Sequence, residues 1–318
     1  MNSKLFFSVT LSLLILFTFG CSVDIAPVKP ENLTPATPSA TLRAQPTGDS
    51  VKVGVLAIRS AIAANAQYGG IIAYLEEQIG QPVTLVPLTQ EEQFSLMENG
   101  ELDFTFNNPL AGIQVSRTFD TEILATLSRN NTGPLFSGLI IVNQDSDFNT
   151  IEDLKGARGT CVNHQTAAAG CIFQVHHLQQ KGIDPFTDFA SFTETPSQDN
   201  IVLGVLNGSF DVGFIRTGQL ERMVREGTIL STDDIRILDQ ADDDFFFPHS
   251  TILYPEWPFA AHPNTDPELV DAVREALLTM PSDHPALTEI NATGFVEPQD
   301  YSAMNDLIES LKLKSWDK

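Results

Sequence analysis

From residue 51 onward the chain alternates two hydrophobic rhythms. "VKVGVLAI" (51–58) is a β-branched run of the kind that forms a buried strand. "AYLEEQIG" closes an amphipathic helix at Gly80, and "PVTLVPL" supplies a second strand. "EEQFSLMENGE" predicts a short helix ended by Gly100, and "LDFTFNN" a third strand. This alternation implies βαβ units and a mainly parallel sheet. After "EILATLS" and "SGLIIVNQ" the pattern restarts: "DLKGARGTCV" leads into a strand, a helix runs through "CIFQVHHLQQKG", and "FASF", "NIVLGVLNG" and "FDVGFI" follow. The expected fold class is α/β in two lobes. Residues 51–143 with 247–318 make the first, and 144–246 form the second, inserted into it. Helices near "DPELVDAVREALLTM" and "DYSAMNDLIESLKL" return the chain to the first lobe. Two such lobes joined by crossing strands enclose a hinged cleft lined by strand ends.

The first fifty residues follow neither rhythm. Lys4 and the apolar run Leu5 to Phe19 read as an export signal over 1–20, too short for a comfortable membrane span. Cys21, directly after Gly20, is then the expected lipidated first residue. The Pro-, Thr-, Ala- and Ser-rich stretch up to residue 50 has no apolar period and reads as a tether. The expected location is therefore extracytoplasmic, with membrane contact through the lipid anchor alone.

Charge narrows the partners. A formal net charge of −23 supplies no basic stripe for nucleic acid. It leaves room for a locally positive cleft and a small anionic solute.

Four segments carry candidate chemistry. "HQTAAAG" (164–170) lies between a strand and a helix, where small residues expose backbone N–H groups at the positive end of the helix dipole. Gln165, Thr166, Ala167, Gly170 and Cys171 are the candidate ligand-binding residues there. Asn107 and Asn108 end a strand and offer paired amides, with Pro109 set to open the next helix. Arg216 and Thr217 follow "FDVGFI", where a guanidinium clamps an anion or pairs with a carboxylate; Arg59 shares that ambiguity. His249, in the aromatic and Pro-rich segment "FFFPHSTILYPEWPFAA", is a further cleft candidate.

Cysteine and histidine in "CVNHQTAAAGCIFQVHH" raise rival readings. A zinc site needs three or four convergent ligands, and a helix spreads Cys171, His176 and His177 over different faces. No haem-attachment motif is present, so neither metal nor cofactor is expected. Cys161 and Cys171 pair as a disulfide, or sit as buried thiols, or leave Cys171 reactive at a helix start.

The segments "GVLAIRS", "DFTFNNP", "IEDLKGARG", "KGIDPFTDFA", "NIVLGVLNGSFDVGFIRTGQLERM" and "HSTILYPEWPFAA" resemble, in this order, the phosphate/phosphite/phosphonate-type periplasmic solute-binding proteins. The resemblance is nearest to the branch that forms the sensor domain of tetrathionate-sensing histidine kinases. It implies a type II periplasmic-binding fold, a closing cleft, no catalysis, and an oxyanion-binding turn at "HQTAAAG". In that family the turn is richer in hydroxyls, and the position of Gln198 is often histidine. An ABC permease or a separate histidine kinase is the implied partner. Two other classes predict different behaviour: a thiol-dependent enzyme would need Cys171, and a structural or assembly lipoprotein would bind no small molecule.

Overall fold

The computed structural model describes residues 50–57 and 60–313; the expected signal segment, Cys21, nearly all of the tether and Arg59 lie outside the described residues. In the first lobe, β1 (Val51–Leu56), α1 (Ala61–Ile79), β2 (Val83–Leu88), α2 (Gln90–Glu98), β3 (Phe104–Phe106), α3 (Pro109–Phe119) and β4 (Glu122–Arg129) follow one another. Local chemistry sets their ends. Ser60 caps α1 by accepting from the Ala63 N–H, and Gly80 stops it in the left-handed conformation. Thr89 and Glu92 form a reciprocal capping box on α2. Asn108 caps α3, with Pro109 at the first helical position.

The chain then crosses through β5 (Leu135–Phe136) into β6 (Gly138–Asn143), β7 (Arg158–Cys161), α4 (Phe173–Gln180), α5 (Pro185–Asp188), β8 (Ser191–Glu194), α6 (Gln198–Leu206), β9 (Val212–Arg216), α7 (Gln219–Arg225) and β10 (Ile235–Leu238). It returns through β11 (Tyr254–Pro255), which pairs antiparallel with β5, into β12 (Pro258–Ala261). The remaining elements are α8 (Pro267–Leu278), α9 (Pro285–Glu289), β13 (Ala292–Val296) and α10 (Ser302–Leu311).

Two main sheets result, in strand orders β13-β4-β12-β3-β1-β2 and β10-β6-β9-β7-β8. Neither is mainly parallel, contrary to the expectation from the βα alternation. Strand β12 arrives from the second lobe and runs against both β3 and β4, while β6 arrives from the first and runs against β9 and β10. The crossings thus reverse strand direction in each sheet. Because β6 pairs with β9 and β10, residues 138–143 belong to the second sheet, although the expected boundary placed them in the first lobe. At the far boundary, Ser250 donates its N–H to Gly138 O and its hydroxyl to Leu238 O, so 247–251 also pack on the second sheet.

The first lobe's core lies between its sheet and α1, α8 and α9, around Ile71, Leu75, Phe106, Phe259 and Leu277. The second sheet is covered on both faces, by α4 with α10 and by α6 with α7. Met304, Leu307 and Ile308 of α10 share a core with Leu110 and Ile113 of α3 and with α4, so one helix packs against both lobes. No helix among the described residues is long and apolar enough to cross a membrane.

Candidate functional site

A cavity of about 500 Å³ lies between the lobes, beside the β5–β11 crossing. Strand ends and helix starts form its walls, as expected for facing α/β sheets. From the first lobe come Leu56 at the end of β1, the early turns of α1 and Arg129 at the end of β4. From the second come Arg216 at the end of β9 and Ser197, Gln198 and Asp199 at the start of α6. The α1 and α6 N-termini therefore present their positive dipole ends from opposite lobes. Tyr68 and Trp257 give the wall an aromatic face, with ring centroids 5.6 Å apart.

Three guanidinium groups line this cavity, and they differ in how they are neutralised. Arg129 donates to Glu256 Oε1 at 2.7 Å and to Ile290 O at 2.7 Å. Burial opposes its charge, but the Glu256 carboxylate outweighs burial and holds its pKa above the usual value. Arg222 pairs with Asp199 and Glu226. The Arg216 guanidinium has neither a hydrogen bond nor an ion pair among the described residues. Burial, with the repulsion of Arg129, pulls its pKa down to about 10, which still leaves it charged at neutral pH. Its backbone N–H donates to Gln198 Oε1 at 2.8 Å, fixing the strand end against α6. Burial raises the Tyr68 hydroxyl to about 12, so it enters the cavity wall as a neutral group.

The other candidate residues fall elsewhere. None of Gln165, Thr166, Ala167, Gly170 or Cys171 lines the cavity; from this stretch only Val162 reaches it. Asn163 Oδ1 accepts from the N–H groups of Gln165 and Thr166 and from the Thr166 hydroxyl, each at 2.9 Å. The Ala167 N–H goes to Asn163 O, so these donors are already used inside the turn. The helix does not begin directly after it. A π-helical turn, Ala168–Ile172, precedes α4 and carries Cys171. Gly170 packs behind the cavity wall, where a Cβ would sit 3.2 Å from Gln198 Nε2.

Asn107 and Asn108 likewise do not line the cavity. Asn108 Oδ1 accepts from Ala111 N at 3.0 Å, and its Nδ2 donates to Thr166 O at 3.4 Å, which brings the amide pair and the turn together across the lobes. Asn107 is fully buried, with neither amide atom partnered. Thr217 exchanges hydrogen bonds with Ser137 beside the crossing: its hydroxyl accepts from the Ser137 N–H, and its own N–H donates to Ser137 O. His249 is buried, with its ring nitrogens on Thr251 O and the Asp243 carboxylate.

Cys161 and Cys171 are joined by a disulfide, with Cα atoms 5.0 Å apart, and both residues are fully buried. A thiol-dependent reaction at Cys171 has no thiol to use in this state. Tyr68, Arg129, Glu256 and Trp257 are wall residues that sequence reading did not single out. Their signal is tertiary, since Arg129 and Glu256 meet only when β4 and the β11–β12 return lie side by side.

Two α/β lobes, crossing strands and a polar cleft between them define the class of hinged solute-binding proteins. Residues 53–302 match the family described as "ABC transporter, phosphonate, periplasmic substrate-binding protein", and the chain belongs to that family. It is 27% identical over 238 residues to the tetrathionate sensor histidine kinase TtrS of Salmonella typhimurium, covering 72% of this chain and 39% of that protein. The chain thus spans about two fifths of that relative's length. Its fold is similar to that of PhnD1 from Prochlorococcus marinus in complex with methylphosphonate, with a TM-score of 0.64 and 17% identity over 83% of this chain and 98% of that one. It is similar also to a binding protein component of an ABC phosphonate transporter from Pseudomonas aeruginosa, with a TM-score of 0.62 and 16% identity over 83% and 85% of the two chains. The family and these solved structures are binding proteins rather than enzymes. Membership places the chain outside the cytoplasm.

Proposed function

We propose that the chain closes its two lobes on a small anion held in the cleft. The observation that carries this reading is Arg216, a half-buried cation in the cavity wall with no ion-pair partner among the described residues. Leaving a partly desolvated charge unpaired is costly, and an anionic ligand offsets that cost by accepting directed hydrogen bonds. The N-termini of α1 and α6 add favourable dipoles from the two sides, and Tyr68 offers a neutral hydroxyl donor. Contacts made from both lobes at once favour the closed state, which a separate partner reads. That partner is an ABC permease or a separate histidine kinase, and lipidation of Cys21 keeps the domain at the membrane surface. The turn at 164–170 and Asn107–Asn108 support the wall from behind.

The test is a thermal-shift and calorimetric screen of the purified chain against methylphosphonate, phosphite, phosphate, tetrathionate, thiosulfate, sulfate and small carboxylates. A ligand at a hundred times its dissociation constant adds about 2.7 kcal/mol of stability. Arg216→Ala should abolish that shift while leaving the unliganded protein folded. An anion whose shift survives Arg216→Ala, or a panel without any shift, would overturn the reading.

A further inference from the structure

The opening of the second lobe gathers a ligand set unlike the one read from the helix. Cys161 ends β7, His164 follows in the turn, and Cys171 lies in the π-helical turn. One ligand atom from each lies within 4.8 Å of the others. The sulfurs are bonded to each other in this structure. The imidazole beside them is held in an orientation that the disulfide does not need. Its backbone N–H donates to Glu194 Oε1 at 2.7 Å, and its Nδ1 stands 3.6 Å from the same oxygen. The ring stacks on Phe192 at 4.6 Å and meets Phe186 edge-on at 5.1 Å. Its Nε2 is buried without any hydrogen-bond partner.

An orphaned buried ring nitrogen costs free energy that a partner would recover. A carboxylate at one ring nitrogen and an open second nitrogen is the arrangement that orients a metal-bound histidine. Two thiolates and an imidazole are a donor set suited to a thiophilic divalent cation, zinc above all. We propose that the reduced form of this chain binds one Zn²⁺ ion through Cys161, Cys171 and His164, and that the disulfide locks this site out. A dithiol reductant opens it by exchange: the dithiol becomes a disulfide, two electrons pass to the cystine, and each cysteine sulfur gains a proton. Zn²⁺ then displaces those two thiol protons and takes both sulfurs with the His164 nitrogen. The site is independent of what the cleft binds.

The experiment uses the full chain with Cys21→Ser, so that Cys161 and Cys171 are the only thiols. The protein is reduced with a phosphine, desalted without oxygen and titrated with Co²⁺ as the spectroscopic probe. The expected result is a thiolate-to-cobalt charge-transfer band that saturates at one ion per chain and is displaced by Zn²⁺. The oxidised chain should give no band. Glu194→Gln should weaken binding about 10- to 100-fold, and His164→Ala by at least as much. Far-ultraviolet circular dichroism follows the fold throughout. A folded, reduced chain without the band overturns the proposal, as does a band unaltered by His164→Ala. A reduced chain that unfolds and is not restored by Zn²⁺ overturns it too.

Discussion

At the scale of single residues, two of the cleft's three guanidinium groups are paired, and that of Arg216 has no ion-pair partner among the described residues. Glu256 is 2% exposed and accepts from Arg129 at Oε1, so the two form an ion pair inside the wall. Removing one member of such a pair strands the other. Glu256→Ala should therefore destabilise the protein by about 3–5 kcal/mol, measurable by urea unfolding. Glu256→Gln keeps a hydrogen-bond acceptor for Arg129 and should cost less. The place of Arg216 in the cavity wall was legible because it ends a recognisable strand. Arg129 and Glu256 were not legible, because 127 positions separate them and no local pattern announces a pair made by folding. His249 shows the converse: an attractive local context, yet ring nitrogens already occupied by Thr251 and Asp243.

Among elements, the hydrophobic rhythm placed most strands and helices, and it failed where direction and register come from the far lobe. Strands β1, β2 and β3 run parallel as expected; β12 opposes its neighbours because it enters from the second lobe. The π-helical turn before α4 was also hidden, since "AAAGC" is compatible with an ordinary helix start. Helix α4 meets the crossing through His176, whose Nδ1 lies 3.4 Å from the Tyr254 hydroxyl while its Nε2 lies 3.2 Å from Gln180 Nε2. Burial, with the neighbouring His177, holds this imidazole below its ordinary value of 6.5, against the weaker pull of Asp306. As pH falls below 6.5 the unfolded chain takes up the proton first, so stability is lost as pH drops toward the folded-state value. The melting temperature should fall between about pH 7 and pH 5, and His176→Gln should flatten that slope. An unchanged slope in the variant would assign the acid sensitivity to other groups.

For the whole molecule, the two sheets are tied by more than the short β5–β11 ribbon. Helix α10 packs on α3 and α4 together, and Tyr301 just before it donates to Glu256 O at 2.8 Å. Leu307 is fully buried in that shared core. Leu307→Ala should cost about 2–5 kcal/mol and lower a single unfolding transition, since both lobes lose the same support. Two separate transitions in calorimetry would show that the lobes unfold independently. Two lobes with a cleft between them could be read from the sequence. Their shared helix could not, because the amphipathic pattern of "SAMNDLIESL" names an apolar face but not its neighbours.

The bond from the Arg216 N–H to Gln198 has a mechanical meaning. Gln198 opens α6 and Arg216 ends β9, so this one carboxamide welds a helix start to a strand end. Gly170 leaves room for that side chain from behind. The second lobe's half of the cleft is therefore held together within that lobe. In the proposed closure, the ordering entropy of this half would already be spent when the chain folds, leaving only two prepared surfaces to be brought into contact.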